Sequence, residues 1–120
     1  MTEDDAAQLQ SLSEATEPQP LTVEVQVDDG VPVLVVRGEL DVYSAPALDA
    51  AVDQALQDGA RSLVLDLGQV GFIDSSGLRS IIRARKEAGD GPEAVRIRNP
   101  QPATVRLLDI TGLTDHFPSA

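Results

Sequence analysis

A chain of 120 residues with 42% hydrophobic content is long enough for one domain with a buried core. Its formal net charge of −11 repels a phosphate backbone, and 2% aromatic content leaves no stacking platform for single strands, so nucleic acid is excluded as a partner. The absence of cysteine removes disulfides, thiolate chemistry and zinc ribbons. No apolar stretch is long enough to insert directly into a membrane, and nothing resembles a signal peptide, so the expected location is the cytoplasm.

Residues 1–20 carry Glu3, Asp4, Asp5, Glu14 and Glu17, prolines at 18 and 20, and no basic residue. Such a segment cannot bury enough apolar surface to order itself, and it reads as a disordered acidic tail ahead of a domain spanning 21–120. From Leu21 the pattern alternates strictly, with Leu21, Val23, Val25 and Val27 against Thr22, Glu24 and Gln26, as in a half-buried strand. Asp28-Asp29-Gly30 signals a turn, and the apolar run Val31 to Arg37 completes a hairpin, with Pro32 near its start pointing to an edge or an unpaired first residue.

After Gly38-Glu39-Leu40-Asp41 a helix is expected, capped by Ser44, with Pro46 in its first turn, Leu48, Val52, Ala55 and Leu56 along one face, and Gly59 as its stop. Arg61 to Leu67 reads as a third strand in which Leu63, Leu65 and Leu67 alternate with Ser62, Val64 and Asp66. A second helix opens at the double serine with Leu78, Ile81 and Ile82 inward and ends near Gly89. Ala94 to Arg98 is a fourth strand, and Pro102 opens a third helix closed by Gly112. This order implies parallel strands with right-handed crossovers. Strands polar on one face argue against a doubly wound sheet, so the expected fold is α/β, a small mixed β-sheet with helices mainly on one face.

The junction Asp74-Ser75-Ser76-Gly77 carries the chemistry. A hydrolase nucleophile would need glycines two residues to either side, where Ile73 and Leu78 stand instead. The single histidine, His116, lies in a C-terminal segment expected to fray, so no triad base is supplied and no enzymatic activity is expected. There is no phosphate-binding glycine loop, and no metal or cofactor site is expected. Two readings remain level on physical grounds. Asp74 or Ser75 can cap the helix, worth about 0.5–2 kcal/mol. The same helix N-terminus, with small Ser76 and Gly77 beside it, can present a serine to a kinase and seat the added phosphate on free amides.

The segment "LVLDLGQVGFIDSSGLRSII", with "VRGELDVYSAP" upstream and "ATVRLLDITGL" downstream, resembles the STAS family, and within it the bacterial anti-sigma factor antagonists. That resemblance implies that Ser75 is phosphorylated by an anti-sigma factor with serine kinase activity. It also implies that the unphosphorylated protein binds this partner and frees the sigma factor, and that a serine phosphatase resets the cycle. Asp41 corresponds to the family's aspartate beside the phosphorylated serine, and Asp74 to the motif's acid. The resemblance leaves two rivals, a STAS scaffold subunit of a stress-signalling assembly and a STAS accessory subunit of a membrane transporter.

Asp41, Asp74, Ser76, Gly77, Leu78, Arg79 and Arg83 are thus the expected surroundings of the phosphosite and partner surface. Arg79 and Arg83, with Arg85 and Lys86, place four of nine basic residues on one helix, either a solvated face favoured by the helix dipole or a positive strip facing a partner. His116 reads as a frayed surface residue and Glu39 as a turn residue. Because the chain stops at Ala120, soon after the third helix, its C-terminal edge is expected to be shorter than in many relatives.

Overall fold

In a computed structural model that describes residues 20–120, Asp29 and Gly30 both have positive φ (54° and 80°). This is the backbone of a two-residue hairpin turn whose twist suits the strands it joins. It links β1 (Thr22–Asp28) to β2 (Val31–Leu40) in an unbroken antiparallel register from Asp28↔Val31 to Thr22↔Arg37. The expected acidic tail lies outside the described residues except for Pro20.

Helix α1 (Ala45–Gln57) leads to β3 (Leu63–Ile73), α2 (Ser75–Glu87) to β4 (Val95–Arg98), and α3 (Pro102–Ile110) to a short 3-10 turn at Thr114–His116. The sheet order is β1-β2-β3-β4, with β2, β3 and β4 parallel. This is the expected mixed α/β sheet.

Leu34, Val36, Leu40, Leu63, Leu65, Leu67 and Val70 from the sheet are buried together with Leu48 and Val52 of α1, Leu78, Ile81 and Ala84 of α2, and Leu108 of α3. All three helices therefore cover one face. Among the described residues the other face has no helix, and it holds a second apolar cluster of Val33, Val35 and Val64, with Val31 packed against it. Arg98 on β4 reaches Asp28 on β1 (3.1 Å) although those strands are not neighbours, and Arg37 bonds Glu24 (2.9 Å) and Gln69 (3.1 Å). The Arg37 guanidinium holds the Glu24 carboxyl below its ordinary pKa, by its hydrogen bond first and its charge second.

Three expectations need correction. Strands β2 and β3 run on to Leu40 and Ile73, past the glycines taken as their ends, because register shifts at Val35/Arg37 and Gly38/Glu39 let the ladder absorb them. Val64, placed with outward Ser62 and Asp66, is 1% exposed. The C-terminal segment is docked rather than frayed: Phe117 is buried, and Ile97 on the outer edge of β4 donates to the Pro118 carbonyl and accepts from the Ala120 N–H (2.9 Å each). That edge thus gains a short parallel bridge, while His116 stays exposed on the 3-10 turn.

The burial of Val64 has a direct check. Val64→Ala should lower unfolding stability by about 2 kcal/mol, the loss of two buried carbons plus a cavity, in urea denaturation. An outward residue on a two-faced strand would give close to no change.

Candidate functional site

Asp74 leaves β3 in an extended conformation (φ −114°, ψ −173°), and its Oδ1 accepts from the backbone N–H groups of Ser76 (2.8 Å) and Gly77 (3.0 Å). The cap that the sequence left open between Asp74 and Ser75 is therefore Asp74. Ser75 is the first helical residue and is exposed, and among the described residues no hydrogen bond engages its hydroxyl. One expectation changes: the amides of Ser76 and Gly77 that would seat a phosphate are already taken by a carboxylate.

Gly77 has a packing role that capping alone did not require. A Cβ there would lie 2.7 Å from both Cγ and the carbonyl oxygen of Leu40 and 3.0 Å from Cγ1 of Ile73. Any larger residue would drive α2 away from the end of β2. At the same point the Asp74 N–H donates to the Leu40 carbonyl (3.2 Å). The start of α2 is thus pressed against the strand that leads directly into Asp41.

Asp41 organises the next loop. Its Oδ1 accepts from the N–H groups of Tyr43 and Ser44 (3.0 Å each), and its carbonyl accepts from Ala45 N–H (2.8 Å). Ser44, expected as a helix cap, makes no capping bond to α1. Its hydroxyl instead accepts from the Asp41 N–H (2.9 Å) and donates to the Glu39 carbonyl (2.7 Å), tying the loop to itself.

This end of the sheet also carries apolar side chains that sequence reasoning missed. Tyr43 is 89% exposed, Val42 58% and Phe72 48%. Phe72 faces out because Gly38 pairs with Val70 and Glu39 with Phe72, leaving Gly71 as an extra residue. Such a bulge turns Phe72 away from the face that buries Val70. A glycine inside an apolar strand was the available signal. Exposed large apolar groups beside a fixed polar centre suit contact with another macromolecule.

The basic residues of α2 separate. Arg79 is exposed one helical turn beyond Ser75. Arg83 turns to α1, with NH2 contacting both carboxylate oxygens of Asp53 (2.9 and 3.1 Å) and NH1 lying 3.6 Å from Asp49. The hydrogen bond to Asp53 raises the Arg83 pKa above its ordinary value, against the opposing effect of burial. Arg85 pairs with Asp90 (2.7 Å). Arg83 is thus a link between two helices, and the acids at i and i+4 of α1 were the sequence signal for it. Leu78 is buried in the core directly behind the exposed serine and Ser76 is half-buried.

The glycine contact predicts a measurable cost. Gly77→Ala should destabilise the domain by about 1–3 kcal/mol, because the Leu40 backbone cannot yield without moving β2. Ser76→Ala should stay within about 0.5 kcal/mol of the parent in the same chemical denaturation.

Comparison with known proteins agrees with this architecture. The family model described as the STAS domain matches residues 22–120. The anti-sigma-B factor antagonist of Staphylococcus aureus is 33% identical over 95 residues, covering 79% of this chain and 88% of that one. A crystal structure of an anti-sigma factor antagonist from Mycobacterium paratuberculosis is 36% identical, covers 82% of this chain and 84% of that one, and superposes with a TM-score of 0.72. The murine anion transporter Slc26a9 shares the fold alone, at 15% identity and a TM-score of 0.65 over 23% of its length. With a family model covering nearly all the described residues and antagonist relatives above 30% identity, the chain belongs to the STAS domain family.

Proposed function

We propose that this protein is an anti-sigma factor antagonist whose docking surface is gated by phosphorylation of Ser75. In this reading the unphosphorylated chain binds an anti-sigma factor with serine kinase activity and frees the sigma factor. Phosphate on Ser75 ends the binding, and a serine phosphatase restores it. The protein acts in the cytoplasm as a switch, without catalysis or a cofactor of its own.

The observation that carries the reading is the Ser75 hydroxyl, exposed and unengaged at the first position of α2, next to Asp74 and on the helical turn whose Gly77 is pressed against the strand leading into Asp41. The antagonist relatives from Staphylococcus aureus and Mycobacterium paratuberculosis support it. A kinase can reach such a hydroxyl without unfolding anything. A phosphate there carries about −1.5 to −2 charges and stands beside Asp74, whose carboxylate is fixed by two amides. Two negative charges meeting one at about 6 Å, at an effective dielectric of ~40, cost roughly 2–3 kcal/mol once a partner traps them together. Binding then weakens by about 30- to 150-fold before any steric clash. Val42, Tyr43 and Phe72 supply the apolar contact area that this repulsion switches off.

The test is phosphorylation and binding with anti-sigma kinases, read by mass spectrometry and calorimetry. Phosphate is expected on the Ser75 peptide and retained in Ser76→Ala. Ser75→Ala should bind constitutively, and Ser75→Asp should bind poorly while remaining folded. Asp41→Asn keeps the oxygen that holds the loop, whereas Asp41→Ala releases it, so Ala should impair phosphorylation or partner binding more than Asn, with both variants folded. Phosphate on Ser76 alone, or equal affinity for Ser75→Ala and Ser75→Asp, would overturn the proposal.

A further inference from the structure

Strand β1 has β2 on one side and, among the described residues, no partner on the other. We propose that this open edge pairs antiparallel with the same edge of a second copy, about a two-fold axis through Val25, joining two sheets into one. The inference is independent of the Ser75 switch, since none of the residues placed at the Asp41–Ser75 site lies on β1.

The backbone directions follow from the turn. A two-residue hairpin closes on a hydrogen-bonded pair, here Asp28↔Val31, so Asp28, Gln26, Glu24 and Thr22 bond to β2. Val27, Val25 and Val23 therefore direct their N–H and C=O groups to the open edge. Natural edges are blunted by lysine, proline or a bulge. Thr22–Asp28 contains neither residue, and its register with β2 is continuous. Val25 and Val27 are also 55% and 72% exposed, so the edge is apolar as well as unpaired.

Charge selects the register. A two-fold axis perpendicular to the sheet can sit at Glu24, Val25 or Gln26. At Glu24 it sets that carboxylate opposite its own copy, and at Gln26 it sets Glu24 opposite Asp28 twice. Centred on Val25, it pairs Val25 with Val25, Val23 with Val27, Glu24 with Gln26 and Thr22 with Asp28. No like charges then face each other, and Glu24 keeps its own Arg37 at 2.9 Å. This register also uses the most outward groups, with about six interchain hydrogen bonds and a continuous valine stripe on the helix side.

Sedimentation equilibrium on the full chain, from low micromolar to several hundred micromolar, tests the proposal. The mass should rise from 12.7 kDa towards twice that value with concentration. Val25→Pro should abolish the rise while leaving the fold intact, because a proline whose missing N–H faces the open edge breaks no bond to β2. Gln26→Glu should weaken the dimer by about tenfold by creating two Glu–Glu pairs, and Gln26→Lys should tighten it by opposing Lys to Glu24. A chain that stays monomeric throughout, or a dimer indifferent to Val25→Pro and the charge swaps, overturns the proposal. So does a chain that dimerises only after residues 1–19 are removed, since its own N-terminal segment would then occupy the edge.

Discussion

The contact between Gly77 and Leu40 is the constraint on which the site depends. With no room for even a methyl group at residue 77, the first turn of α2 approaches the backbone of β2 at van der Waals distance. One further residue along β2 begins the Asp41 loop, so two segments more than thirty positions apart share one surface. The hydrogen bond from Asp74 to the Leu40 carbonyl closes the same junction from the other side. Farther along the helices, Arg83 ties α2 to α1 through Asp53 and Asp49. Half-exposed pairs of this kind add little stability, typically under about 1 kcal/mol. This one does set how two helices face each other, each beginning at one half of the site. A surface held at both levels needs little ordering when a partner arrives, which lowers the entropic cost of docking.

Both acids at the site serve the backbone. Asp74 satisfies two N–H groups at the start of α2, and Asp41 satisfies two in the loop before α1. Each carboxylate is thereby fixed in place without being buried. That leaves a polar centre of settled geometry, with one hydroxyl unengaged and apolar side chains around it.

The order of strands and helices was legible because alternation and helical spacing are local properties, and the two-faced β1 and β4 correctly placed the helices on one side. The motif around Ser75 was legible as a helix start for the same reason. The misses share a cause. Glycines 38 and 68 read as strand ends, yet the parallel pairing of β2 with β3 continues past both through two register shifts, and the bulge at Gly71 rotates Phe72 outward. Ser44 looked like a cap from its position before Pro46, but a nearby carbonyl and amide competed for its hydroxyl. Val64 and Arg83 depended on partners far away in sequence, which periodicity does not report.

Under the switch proposed above, the cap at Asp74 bears on how long a phosphate on Ser75 would last. With the Ser76 and Gly77 amides occupied, the chain offers those donors to an added group only if its own carboxylate lets go. The modification would then stand outward, held by its ester bond and surrounded by water. A phosphatase would have no internal clasp to undo before reaching the phosphorus. Signal lifetime would be set by the opposing enzymes, leaving the domain itself without memory of its last modification.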